Sequence, residues 1–134
     1  VYEDGPCSDR DCEHEITPEN KYCYKATCNG TTRLLAEGIG IPDDKYTVCF
    51  QSRLDKKWIE PFADKLVEEW ARKGAKKLLV FSPSFVADCL ETTIEIGDEY
   101  QELFVENGGQ TIQLVESLND HPAWIEALEA LVRE

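Results

Sequence analysis

A row of carboxylates on one predicted helix is the feature of this 134-residue chain with the clearest chemistry. Glu91, Glu95 and Glu99 follow one another every four residues, so an α-helix would carry them on one face at steps of about 6 Å. Like charges at this spacing weaken a helix by about 0.2–0.5 kcal/mol per pair, and a helix that needed only to be soluble would alternate them with lysines. Two interpretations stay open: a solvated acidic face, or a path that binds a divalent cation or passes protons.

The charge of the whole chain argues against some classes of partner. It carries 27 acidic residues against 14 lysines and arginines, for a net charge of −13. Residues 78–134 hold 12 of the acids and a single base, Arg133. This balance argues against nucleic acid and against anionic lipid as charge-driven partners. No apolar run approaches the ~20 residues that a membrane-spanning helix needs, so we expect no transmembrane segment.

Cysteines form a second constellation near the start of the chain. Four of them have the spacing C-x4-C-x10-C-x4-C, namely Cys7, Cys12, Cys23 and Cys28. We predict that they lie in a loop too short for a core of its own. From the spacing alone, a [2Fe–2S] cluster, a zinc ion and disulfides are equal alternatives. No signal-peptide pattern is visible, which favours a metal centre over disulfides. Cys49 and Cys89 occur singly, and we interpret both as small core residues.

Hydrophobic periodicity predicts the elements that must position these groups. Helices are expected over 22–37, 61–73, 86–105 and 122–132, and strands over 46–51, 77–82 and 110–115. The predicted apolar face of the third helix consists of Val86, Leu90, Ile94 and Phe104. Strands that alternate with helices predict an α/β fold of three layers, a parallel sheet flanked by helices. We place this domain at 31–134, after a cysteine-rich loop and the start of the first helix at 1–30.

Three segments give the chain a family resemblance. They are YTVCFQSRLDKKWIEPFAD, LLVFSPSFVADCLETTIEIGDEY and VESLNDHPAWIEALEALV, in this order along the chain. From about residue 23 to 132 the chain resembles the C-terminal half of ferrochelatases, lyases of haem biosynthesis that insert Fe²⁺ into a porphyrin. The resemblance implies a chelatase-like half domain and a porphyrin substrate, either protoporphyrin IX or coproporphyrin III. It also implies a location in the cytoplasm, free or at the membrane surface.

The same resemblance implies roles for individual residues. Glu91 would lie in the active site and handle the substrate iron, while Glu95 and Glu99 would continue the row and conduct iron or protons. Arg53 and Trp58 would lie at the edge of the porphyrin site and bind the substrate. Some bacterial relatives carry an internal [2Fe–2S] cluster at the place of the cysteine segment. This implies that the cluster ligands are Cys7, Cys12, Cys23 and Cys28, with a structural or redox-sensing role.

The chain also departs from the family pattern. Cys89 stands where many relatives have a histidine, and neither His14 nor His121 matches the family's catalytic histidine, which lies in an H-G-L-P-like motif. Three strands are few for the expected sheet. We therefore expect a C-terminal part of the enzyme that needs the missing N-terminal half as its partner and is inactive alone. The alternative is a non-catalytic iron–sulfur or metal-binding module on a chelatase-like scaffold.

Overall fold

A computed structural model describes residues 14–53 and 58–133 of the chain. Cys7 and Cys12 therefore lie outside the described residues. The described part divides into two compact units. The first comprises residues 14–50 and 58–61, and the second comprises residues 51–53 and 62–133.

The first unit is built on one helix. Helix α1 spans Tyr24–Ile39, and Gly40 ends it in the left-handed region at φ 75°. On its buried side, Gly30 faces the Ile16 side chain so closely that a Cβ would lie 2.5 Å from Ile16 Cδ1. A short 3₁₀ turn, Asp43–Lys45, follows.

The predicted strand over 46–51 does not form. Tyr46, at the start of the segment, has an extended backbone, and the Phe50 N–H donates a hydrogen bond to the Pro61 carbonyl at 2.9 Å. Aromatic and β-branched residues fit a pleated surface, but a strand also needs a neighbouring backbone with which to form a ladder. Cys49 is exposed in this segment, so the prediction of a core position for it was wrong.

The second unit has the α/β pattern that the sequence predicts. Its elements are α2 (Ala63–Arg72), β1 (Lys77–Val80), a π-helix (Glu91–Tyr100) continued by α3 (Gln101–Glu106), β2 (Thr111–Leu114) and α4 (Pro122–Arg133). The two strands pair in parallel, with Lys77 opposite Thr111 and Val80 opposite Leu114. The α/β class and the parallel pairing are confirmed. The described sheet has two strands, so the arrangement in three layers stays a prediction.

The core of this unit is formed by α2, β2 and the long helix, which consists of the π-helix and α3. Its buried members are Ala63, Val67, Ala71, Ile96, Tyr100, Phe104 and Ile112. Phe104 has no exposed surface, and its ring lies against Gly109, where a Cβ would approach two ring carbons to 2.3 Å. Glycine is the residue that allows this approach of backbone to ring.

The long helix differs from the prediction in its start and in its winding. It begins at Glu91, and its first ten residues are π-helical. Because i→i+5 hydrogen bonds put more than four residues in each turn, residues four apart form a nearly straight column. The buried column is Thr92, Ile96, Tyr100 and Phe104. Val86, Leu90 and Ile94, predicted as the apolar face, are 44%, 74% and 43% exposed, so only Phe104 of that predicted face is in the core.

Across the described residues, no helix combines the length and the apolar character that crossing a membrane requires.

Candidate functional site

Polar residues of the second unit gather where the two parallel strands end. Ser82 follows β1 by two residues, and Ser117 follows β2 by three. Gln51 links Ser82 to the Glu91 carbonyl at the start of the π-helix, and the Ser117 N–H donates to Asp88, three residues before that helix. In open α/β sheets, ligands bind outside the carboxyl ends of the strands, so this edge is the candidate site.

Glu95 is the most heavily engaged carboxylate of this edge. Its Oε1 accepts hydrogen bonds from the Ser52 N–H at 2.8 Å and from the Tyr100 hydroxyl at 2.8 Å. Its Oε2 accepts bonds from the Ser52 hydroxyl at 2.9 Å and from Gln51 Nε2 at 3.1 Å. A carboxylate has about four lone-pair sites, and here four donors occupy them.

These contacts set the ionisation of Glu95. Burial raises its pKa, but the hydrogen bonds from the Ser52 N–H, Tyr100, the Ser52 hydroxyl and Gln51 outweigh burial and hold the pKa below its ordinary value. Glu95 is therefore an anion at neutral pH.

Gln51 connects Glu95 to the start of the π-helix. Its Nε2 also donates to the Glu91 carbonyl oxygen at 2.6 Å, and its Oε1 accepts a bond from the Ser82 hydroxyl at 3.2 Å. One amide thus joins the end of β1 to the first residue of the helix. The Glu91 side chain is exposed, and so is that of Glu99, two steps of four residues further on.

Ser52 has a backbone conformation that serine rarely adopts. Its φ is 56°, in the left-handed region, which costs a non-glycine residue about 1–2 kcal/mol. Both the N–H and the hydroxyl of Ser52 bind the Glu95 carboxylate. Charge-assisted bonds of this kind are stronger than neutral ones, so Glu95 offsets the cost of the strained backbone.

A second cluster fixes the segment before the π-helix. Asp88 accepts hydrogen bonds from Asn119 Nδ2 at 2.8 Å and from the Ser117 N–H at 3.2 Å. These bonds, that of Asn119 first, lower the pKa of Asp88 below its ordinary value. Asn119 also donates its own N–H to the Val86 carbonyl at 2.8 Å. The loop after β2 thereby holds the chain that leads to Glu91.

Comparison with known proteins decides the family. The family model for ferrochelatase matches residues 10–134. The chain belongs to the ferrochelatase family. It is 51% identical over 120 residues to the ferrochelatase of Pseudomonas putida KT2440, which covers 88% of this chain and 36% of that protein. The ferrochelatase of Ectopseudomonas mendocina is 52% identical over 110 residues, 81% of this chain and 32% of its own length. The ferrochelatase of Coxiella burnetii strain Dugway 5J108-111 is 46% identical over 120 residues, and this match covers 89% of this chain and 34% of that protein. The chain thus spans about a third of the length of these curated relatives.

The substrate-binding candidates suggested by the ferrochelatase resemblance fall in different units. Arg53 belongs to the second unit, where its guanidinium lies 4.6 Å above the Phe62 ring and 3.4 Å from Asp64 Oδ2. Trp58 belongs to the first unit and is half-buried. Cys89 is half-buried, and its N–H donates to Thr92 Oγ1 at 3.0 Å.

The described cysteines give no support to a shared metal site. Cys23 caps α1 and Cys28 lies inside it, so Cys28 is helical and not in a loop. Both are free thiols, which rules out a disulfide between them in this structure. Five positions apart on a helix, they would lie about 140° apart around its axis. In the part of the chain that the structure describes, no group of three or more His, Cys, Asp or Glu could hold a metal ion. The alternative of a non-catalytic metal-binding module is not favoured by the comparisons, since the relatives that match the chain are ferrochelatases.

The residues that organise the site around Glu95 were not among the candidates predicted from the sequence. Gln51 and Ser52 stand next to Arg53 in a segment that resembles the family, which was the available signal. The position of Tyr100, five residues after Glu95, gave no signal because an α-helix would place the two on different faces.

Proposed function

We propose that the whole protein to which this chain contributes is a ferrochelatase that inserts Fe²⁺ into a porphyrin. The observation that carries the proposal is the family match over residues 10–134, which includes the motif around Glu91. The exposure of Glu91 at the first residue of the π-helix, on the carboxyl edge of the sheet, supports it. Because the chain spans about a third of its relatives, we assign the activity to the longer protein and expect residues 1–134 alone to be inactive.

Metalation exchanges the pyrrole protons of the porphyrin for one ferrous ion. The two nitrogens that release protons need an acceptor, and the incoming Fe²⁺ needs ligands that let it go again. An exposed carboxylate serves either purpose, and Glu91 is the candidate in this chain. Distortion of the macrocycle would expose the nitrogen lone pairs to the ion.

The acidic surface around the motif is suited to a cationic substrate. Between Lys77 and Arg133 the sequence contains no lysine or arginine. A field of one sign concentrates counter-ions and speeds their arrival. Glu99, exposed on the same helix, is the outer member of the proposed path for iron or protons, and Glu95 lies between Glu99 and Glu91.

Arg53 and Trp58 remain proposed contacts at the porphyrin edge. A guanidinium forms bidentate bonds with carboxylates, and both candidate porphyrins carry carboxylate side chains. Arg53 is 3.4 Å from Asp64 in this structure, so binding of a substrate carboxylate would compete with that pair. We expect the protein to act in the cytoplasm, free or at the membrane surface.

For the cysteines we keep a [2Fe–2S] cluster held by Cys7, Cys12, Cys23 and Cys28 as a proposal that rests on the resemblance. The donor set suits such a cluster chemically. The separation of Cys23 and Cys28 along α1 means that joint ligation would require the first turn of the helix to open. No step of metalation passes through this group.

The proposed role of Glu91 is tested in the whole protein with two matched substitutions. Glu91→Gln should abolish insertion of Fe²⁺ into porphyrin while the unfolding temperature is kept. Glu106→Gln, the same change at the exposed end of the same helix, should retain activity. Near-normal turnover in Glu91→Gln would overturn the assigned role, and absence of metalation in the unmodified protein would overturn the proposed function.

A further inference from the structure

Glu95 is bound differently from the two acids that flank it in the row. Glu91 and Glu99 expose their side chains, whereas Glu95 is half-buried and accepts four hydrogen bonds. A residue that carries iron needs oxygen lone pairs free for the ion, and one that relays protons must gain and lose a proton near neutral pH. The contacts of Glu95 favour neither condition.

Three of the four hydrogen bonds to Glu95 come from a segment distant in sequence. Ser52 and Gln51 lie more than 40 residues before it, and Tyr100 lies on its own helix. We call these four residues the Glu95 network. The network joins the Gln51–Ser52 segment to the π-helix, and Gln51 Nε2 extends it to the Glu91 carbonyl at 2.6 Å.

The network also fixes a backbone that would otherwise relax. Ser52 has a φ of 56°, and its N–H points at Glu95 Oε1. Loss of that acceptor removes the bond that favours the left-handed conformation. Gln51 precedes Ser52 directly, so a change of the Ser52 backbone would move the amide that holds the first residue of the helix.

We propose that Glu95 is a positioning residue of the ferrochelatase site: it holds Ser52 and Gln51, and through them the Glu91 end of the π-helix, instead of carrying iron or protons itself. The inference rests on the proposed function and deepens it. Glu91 remains the group that meets the reacting atoms. Glu95 sets where the backbone of Glu91 lies.

Two substitutions at Glu95 distinguish a residue that positions its neighbours from one that carries iron or protons. Glu95→Asp keeps the negative charge, but its side chain is one methylene shorter and its oxygens cannot reach all four donors at once. Glu95→Gln loses the charge but keeps the length. Its carbonyl oxygen still accepts from the Ser52 N–H and Tyr100, and its amide can donate to the Ser52 hydroxyl. Only the bond from Gln51 Nε2 is lost, because the new amide nitrogen is itself a donor, and Gln51 keeps its bonds to Ser82 and to the Glu91 carbonyl. A carrier tolerates the first change better, whereas a positioning residue tolerates the second.

The experiment measures metalation by the whole protein with Fe²⁺ as the varied substrate. We expect Glu95→Asp to lower kcat at least tenfold and Glu95→Gln to lower it less than fivefold, each with KM for Fe²⁺ within twofold of the unmodified protein. Ser52→Ala, combined with Glu95→Asp, should add little further loss, because the Ser52 hydroxyl bond that it removes belongs to the set that the shorter carboxylate already disrupts. Near-normal kcat in Glu95→Asp together with a raised KM for Fe²⁺ in Glu95→Gln would overturn the inference and leave the proposed function standing. An unmodified protein without metalation would overturn both.

Discussion

Asp88 and Asn119 exchange hydrogen bonds in both directions. The Asp88 N–H donates to Asn119 Oδ1 at 2.9 Å, and Asn119 Nδ2 donates to Asp88 Oδ2 at 2.8 Å. The loop after β2 thus binds both the backbone and the side chain of Asp88, in the segment before the π-helix. Asn119 holds a φ of 46°, in the left-handed region.

Two substitutions at Asn119 should differ in their effect on stability. Asn119→Gly removes the side-chain bonds but suits the left-handed backbone, whereas Asn119→Ala removes the bonds and adds the strain of that backbone. We expect Asn119→Ala to be less stable than Asn119→Gly by about 1 kcal/mol in denaturant unfolding of the whole protein. Equal stability of the two variants would mean that the backbone conformation at Asn119 is not the one described.

The contact between Gly109 and Phe104 gives a second prediction. A Cβ at position 109 would lie 2.3 Å from Phe104 Cδ1 and Cε1, and that ring is fully buried. Gly109→Ala should therefore destabilise the protein by about 1–3 kcal/mol through overpacking.

Gly38 offers the matched control, because a Cβ there meets nothing within 4 Å and the residue lies inside α1. Gly38→Ala should stabilise by about 0.5–1 kcal/mol. A thermal midpoint of Gly109→Ala at or above that of the unmodified protein would contradict the packing described.

The contrast between the strands and the long helix shows what the sequence could predict. The apolar runs at 77–82 and 110–115 predicted β1 and β2 to within a few residues, because local side-chain patterning specifies a buried strand. The π-helical winding was not predictable, since i→i+5 bonding leaves no distinct signal in composition. Within the π-helix, Ile96 and Tyr100 belong to the buried column, and Ile94 is exposed.

The candidate site was predictable in the same partial way. The four-residue spacing of Glu91, Glu95 and Glu99 placed them on one helix, as the structure has them. Spacing could not distinguish Glu95 from the other two. The difference arises from Gln51 and Ser52, which reach Glu95 across 44 and 43 residues of chain, and contacts of that range depend on the fold.

The ionisation of Glu95 predicts how stability depends on pH. Its pKa in the folded protein is lowered, so the folded state favours the carboxylate relative to the unfolded chain, where the pKa is about 4.3. This contribution is present above the unfolded pKa and is lost as pH falls through the folded pKa. The difference in free energy of unfolding between the unmodified protein and Glu95→Gln should therefore be largest near neutral pH and shrink below about pH 4.3.

Ser52→Ala is the matched variant for this measurement. It removes one of the bonds that lower the pKa of Glu95 and keeps the carboxylate and the Ser52 N–H bond. Its pH dependence should lie between those of the unmodified protein and Glu95→Gln, measured by urea unfolding at several pH values. A difference between Glu95→Gln and the unmodified protein that grows as pH falls would have the wrong sign and would contradict the assignment.

The cysteine segment gives the last prediction, and its test separates the alternatives that the spacing left open. The whole protein, purified without oxygen, should be reddish-brown, with visible absorption bleached by dithionite and about two irons and two sulfides per chain. Cys23→Ser and Cys28→Ser should each lose this absorption. Cys49→Ser and Cys89→Ser should keep it, because neither residue belongs to the cysteine set. A colourless protein with one bound zinc would identify the segment as a zinc site, and one with neither metal and oxidised cysteines would identify disulfides.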